Sequence, residues 1–279
     1  MHGDDGLIHE HPGSIEVATA AGCADSKDIA GCLRSKNVAE LISAIPSPTD
    51  IFPRVYGPNV DGHVFPEQPI ARIRGRRYTP IPVIIGTTAD ETMGFVNGVG
   101  PVPDQASYAA AVERLFGSAP RDAILARYPA MSFATPRAAL VAATTDAYFS
   151  CTARRVARTL ISVQREPVYR YFFTHAFETD PQLRAAGAGH TVEHPFFFPW
   201  FGTYMPNSGE RKLQDAMILY WSRMARTSDP NGPGTPTWPR YQSGSDLYLE
   251  LATPPGAKSD LHKAQCDFWD TIVFPWPHL

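Results

Sequence analysis

Apolar and polar positions alternate along the chain in blocks that change period. Residues 1–45 read as loop and helix, with a short helical segment at Val38–Ala44. Residues 46–82 read as an extended, proline-punctuated connection containing the turn Gly57-Pro-Asn-Val-Asp-Gly62. Pro80–Gly86 is then an apolar, largely β-branched run closed by glycine, the pattern of a parallel strand buried on both faces. Ser107–Phe116, Pro120–Tyr128 and Pro136–Phe149 carry helical periodicity, and a further helix opens at Cys151 and runs to Ile161. Val168–Phe173, rich in aromatic and β-branched residues after Pro167, predicts a second strand. The longest helical pattern is Lys212–Ser228, where Leu213, Ala216, Met217, Tyr220, Trp221, Met224 and Ala225 fall on one stripe. Asp229-Pro-Asn-Gly232 stops it. A strand at Leu247–Leu251 and a helix at Ser259–Val273 follow. Strands alternating with helices predict an α/β fold with a mixed, mostly parallel sheet flanked by helices.

Composition narrows the possibilities. Apolar residues make up 43% of the 279, enough for a sizeable core, and the net charge of −3 offers no footprint for nucleic acid or an anionic membrane. No apolar run reaches the roughly 18 residues a bilayer requires, so no transmembrane segment is expected. Four cysteines allow two readings: disulfides Cys23–Cys32 and Cys151–Cys266, or four buried thiols. No Cys-x-x-Cys pair exists to hold a metal.

The candidate chemistry sits in two stretches. Glu91 follows the first strand in Gly86-Thr-Thr-Ala-Asp-Glu91, at the carboxyl end where open α/β sheets collect catalytic groups. His190 lies in Gly187-Ala-Gly-His-Thr-Val-Glu-His-Pro195, on the loop after the second strand. A carboxylate that accepts one ring N–H of a histidine fixes its tautomer and lets the other nitrogen take a proton from a hydroxyl. Acid before histidine is also the chain order of α/β-hydrolases. No serine has a glycine two residues before it, so the nucleophile elbow Gly-x-Ser-x-Gly is missing. His190, Glu193 and His194 also spell the inverted zinc-protease pattern, which needs a helix to bring both histidines to one face. Thr191, Val192 and Pro195 disfavour a helix there, so no metal is expected and Glu193 reads as a buried residue bracing the histidine loop.

These motifs occur in an order that resembles the C-terminal half of a type-B carboxylesterase, the cholinesterase-like branch of the α/β-hydrolases. Cys32-Leu-Arg-Ser-Lys, Gly57–Gly62, Val83–Glu91, Val168–Phe173, Gly189–Glu193 and Trp221–Gly232 followed by Trp238-Pro-Arg-Tyr241 carry the resemblance, the last being the most specific. The resemblance assigns the triad acid to Glu91 and the base to His190, pairs Cys23 with Cys32 and Cys151 with Cys266, and so implies an exported protein. It implies a small-molecule ester as substrate and no cofactor. Two positions depart from the family: Thr191 replaces the glycine after the histidine, and Gly94 stands three residues after the acid rather than one. The nucleophile elbow and the glycine-rich oxyanion loop would lie upstream of the segment matching residues 9–32. Residues 1–279 are therefore expected to form a partial domain, from a truncated gene product or a partial gene model, unable to hydrolyse esters alone. A separate N-terminal half supplying the serine in trans is one alternative. The other is a non-catalytic, cholinesterase-like adhesion or binding module. The aromatic run Phe196–Phe198 with Trp200 and Phe201 is divided between core packing and a pocket wall.

Overall fold

A computed structural model describes residues 13–44, 60, 62–198 and 202–272. Three short helices come first: α1 (Gly13–Ala20), α2 (Ile29–Ser35) and α3 (Val38–Ser43). Asp28 and Asn37 cap the latter two by accepting the N–H of Gly31 and Glu40, and the Cys23–Cys32 disulfide ties the turn after α1 to α2. The expected turn Gly57–Gly62 lies largely outside the described residues. Further on, the expected extended connection contains a helix, α4 (Pro69–Arg74). Proline is tolerated in a first helical turn, and Ile70 and Ile73 supply the buried face that the extended reading overlooked.

The sheet runs β1-β2-β3-β4, with β1 (Val83–Thr88), β2 (Val168–Phe173) and β3 (Tyr248–Leu251) parallel and β4 (Gly256–Lys258) antiparallel to β3. It is the mixed, mostly parallel sheet the alternation predicts. β1 starts and ends later than expected: Pro82 has no N–H for the ladder, and pairing continues through Thr87 and Thr88. Its first four residues are only half-buried, because β1 is an outer strand of the described sheet. The strand covered on both faces is β2. Tyr169 and Phe173 face Leu213, Met217, Tyr220 and Trp238, whereas Val168 faces Ala157 and Leu160. Gly86 opposes Tyr171, whose ring occupies the place of a glycine side chain: an added Cβ would meet it at 2.3 Å.

Between β1 and β2 come α5 (Gln105–Phe116), α6 (Ser118–Arg127), α7 (Pro136–Thr145) and α8 (Cys151–Val163). The expected helix Pro136–Phe149 ends at Thr145 and widens into a π-turn, Asp146–Ser150, that runs into α8. After β2 come α9 (Pro181–Arg184), α10 (His194–Phe197) and α11 (Ser208–Thr227). α11 begins before the expected Lys212 because Asn207 and Glu210 form a capping box. The apolar stripe is buried or half-buried through Met224 but exposes Ala225, and Ser228 ends the helix at φ +62°. The stop sequence has a structural purpose. Asn231 accepts the Trp238 backbone N–H at 2.7 Å, and the Trp238 indole donates to Arg170 O of β2 at 2.7 Å. Of the expected helix Ser259–Val273, only α12 (Lys263–Trp269) is helical, because β4 precedes it and Asp260 and His262 adopt positive φ; Val273 lies outside the described residues. The Cys151–Cys266 disulfide joins α8 to α12.

Candidate active site

Glu91 lies three residues beyond β1, in a turn that folds its carboxylate back onto the strand. The Thr88 N–H donates to Glu91 Oε1 at 2.7 Å, and the side chain is buried. Its other oxygen lies 2.6 Å from His190 Nδ1. Nδ1–H is then the donor, which leaves Nε2 as the proton acceptor. The imidazole is 47% exposed, so it reaches the surface while its partner stays buried. The two groups thus meet at the carboxyl ends of the parallel strands β1 and β2.

The threonines beside the histidine and the acid are accommodated differently. Thr191 keeps a glycine-like φ of +72° directly after His190. Thr92, immediately after the acid, is buried, and its hydroxyl contacts Val141 O at 3.1 Å and the Thr144 hydroxyl at 2.6 Å, pinning the acid turn to α7. Gly94 sits in an ordinary helical conformation at φ −76°.

Residues 190–193 form a turn, so His190 and His194 do not share a helical face as the zinc pattern requires. α10 starts at the second histidine, and Pro195 fits because it occupies the first turn, where its missing N–H costs nothing. Glu193 is buried, yet its Oε2 has no hydrogen-bond partner among the described residues. Burial, reinforced by the charge of Glu91, holds its carboxyl above the usual carboxylate range. Burial first, then Glu193 and Glu91, likewise pushes up the Tyr171 phenol.

The aromatic rings beside His190 are ones sequence reading missed. Phe95 and Phe149 flank the imidazole with centroids 5.3 and 5.7 Å away. Phe95 stands one helical turn after Glu91, a spacing that could have flagged it. Phe149 arrives through the π-turn, which no local pattern announces. In the expected aromatic run, Phe196 is core, packed on Phe173 and Phe177; Phe197 meets Trp221 at a tilted 56°, and Phe198 is exposed. Trp200 and Phe201 lie outside the described residues.

Two further histidines pair with carboxylates. His175 Nε2 is 3.0 Å from Glu210 Oε1, and His262 Nδ1 is 2.6 Å from Asp146 Oδ1. His175 is sealed from solvent, and Glu210 also takes the Tyr204 hydroxyl, a structural hub at the start of α11. His262 precedes α12, its ring packed edge-on against Phe172 of β2 with centroids 5.2 Å apart.

The Carboxylesterase family profile matches residues 9–269. Similar proteins include human cocaine esterase, 30% identical over 92% of this chain and 48% of its own length. Acetylcholinesterase of Bungarus fasciatus is 28% identical over 90% of this chain and 46% of its own length. Rat neuroligin-2 is 25% identical over 94% and 36% respectively. The chain spans about half, or less, of the length of these relatives. With a mixed, mostly parallel sheet flanked by helices and a profile match across nearly its whole length, this chain belongs to the carboxylesterase family.

Proposed function

We propose that Glu91 and His190 are the acid and base of a carboxylic ester hydrolase whose nucleophilic serine lies outside these 279 residues. The observation that carries the reading is the 2.6 Å contact between Glu91 Oε2 and His190 Nδ1. A buried acid with one oxygen fixed by a backbone N–H holds the ring, and the half-exposed imidazole keeps Nε2 for the proton of an attacking hydroxyl. The substrate class is a small-molecule carboxylic ester, with Phe95 and Phe149 as apolar surface beside the base. The partial-domain reading follows from the absence of a Gly-x-Ser-x-Gly segment in the sequence. The disulfides support an exported protein, since such bonds persist in oxidising compartments. Among the described residues no helix is long and apolar enough to cross a membrane.

A fluorophosphonate probe tests the reading. The chain alone should remain unlabelled. Labelling and ester hydrolysis should arise when a segment carrying the serine elbow is joined to it or co-expressed with it. In that active form, Glu91→Gln should lower kcat by roughly 10⁴-fold and His190→Ala by roughly 10⁶-fold. Stoichiometric labelling of any serine in the chain alone would overturn the proposal.

The second reading, a non-catalytic binding module, is compatible with the similarity to neuroligin-2. The Glu91–His190 pair argues against it, because a binding surface has no chemical need for a buried acid aligned on an exposed imidazole. A folded reconstituted protein that carries the serine elbow and neither takes the fluorophosphonate label nor hydrolyses esters would favour it.

A further inference from the structure

The distance between an acid and its base is set by whatever holds their two loops together, and here one residue makes most of that link. Asp90 immediately precedes Glu91. Its backbone N–H donates to Ala188 O at 2.9 Å, and its side-chain Oδ2 accepts the Ala188 N–H at 3.0 Å. An isolated parallel bridge pairs Asp90 with Gly189. β1 and β2 cease regular pairing at Thr88 and Phe173, so this clamp is a second, separate contact between their following loops. It closes on the residues directly before His190.

Gly187 fits the same device. It adopts φ +60°, and an added Cβ would lie 2.5 Å from Asp90 Oδ2. The glycine is thus required both by its conformation and by the carboxylate lying against it. Ala188, the residue gripped from both sides, is buried, so water cannot readily replace the side-chain acceptor.

We infer that Asp90 is a positioning residue: its carboxylate clamps the Gly187–Gly189 backbone to the acid turn and thereby sets the alignment of His190 Nδ1 on Glu91. Asp90 acts through the loop and does not touch the reacting atoms. The inference rests on the Glu91–His190 reading and extends it to a residue that neither motif nor chain order singles out.

The test is long-range ¹H–¹⁵N correlation NMR of the histidine rings in the whole chain, with the low-field Nδ1–H resonance as second readout. Wild type should show His190 as the Nδ1–H tautomer with a low-field proton. Glu91→Gln should abolish both. If wild type and Glu91→Gln are identical, the dyad reading itself fails, whatever Asp90 does. With the dyad established, Asp90→Ala should lose the low-field proton, shift His190 to mixed tautomers and reduce protection of the Ala188 amide by about tenfold or more, one hydrogen bond to a charged group. Asp90→Asn keeps a side-chain oxygen acceptor and should restore the Nδ1–H tautomer. Gly187→Ala, which drives a methyl group against the carboxylate, should reproduce the loss and carries the test if Asp90→Ala does not fold. Retention of the wild-type tautomer and low-field proton in folded Asp90→Ala or Gly187→Ala would overturn the inference, as would failure of a folded Asp90→Asn protein to restore them.

Discussion

Thr191 carries the clearest local strain near the site. It is β-branched, it follows His190 directly, and it holds φ +72°, a region that costs an L-residue about 1–2 kcal/mol. The resemblance expects glycine there, and the backbone keeps the glycine conformation although the residue is threonine. Thr191→Gly should therefore raise stability by about 1 kcal/mol, once the added chain entropy of glycine in the unfolded state is subtracted. Urea unfolding midpoints would measure it, and an unchanged or lowered midpoint would show that the threonine side chain contributes more than its backbone costs. Thr92 makes the opposite case. A buried hydroxyl tied to α7 makes it a specific anchor for the acid turn. Neither role was legible from the residue type, since a threonine beside a motif looks the same whether strained or anchored.

Helix boundaries are where charge and fold meet. His262 precedes α12 in a left-handed conformation, and its Nδ1 pairs with Asp146 in the π-turn. Asp146 also accepts the Tyr128 hydroxyl at 2.8 Å, and Trp269 donates its indole N–H to that phenol. Burial would lower the pKa of His262, and the Arg170 guanidinium acts in the same direction. The hydrogen bond and charge of Asp146 outweigh them and hold it above 6.5. A histidine with a raised folded-state value stabilises fully below its unfolded value and progressively less as pH rises through the folded one. The contribution is therefore present at about pH 6 and lost as pH rises through the raised folded-state value. His262→Asn should flatten that decline in the urea midpoint measured from pH 6 upward. Parallel pH profiles for wild type and variant would refute the assignment.

At the scale of the whole molecule, the two disulfides differ in what they enclose. Cys23–Cys32 closes a separation of 9 residues, and Cys151–Cys266 one of 115. Loop-closure entropy makes the longer bridge the larger constraint on the unfolded chain. The paired substitution Cys151→Ala with Cys266→Ala should cost roughly 2–5 kcal/mol, more than the same change at Cys23 and Cys32, in equilibrium unfolding. Equal losses would show that local packing, and not chain entropy, dominates. The bridge also fastens α12 against α8 beside the Phe116–Trp269 contact, so its loss should expose tryptophan fluorescence to solvent.

The main alternation of strands and helices was readable from the sequence, and Glu91 and His190 stood out as candidates, because each depends on local periodicity or on residues close in the chain. Val168–Phe173 alternates faces as any strand must, and Asp229-Pro-Asn-Gly stops a helix wherever it occurs. The limits of β1, the π-turn and β4 were not readable, since pairing partners and packing against distant elements decide where regular structure ends. The same holds at the site. Glu91 and His190 were visible as candidates from motif and order, but their 2.6 Å contact, the rings of Phe95 and Phe149 and the clamp made by Asp90 are long-range juxtapositions. Sequence determined which groups were available; only the folded chain decided which histidines meet carboxylates and that His190 stands half-exposed over a buried acid, because burial and alignment are properties of the whole packing.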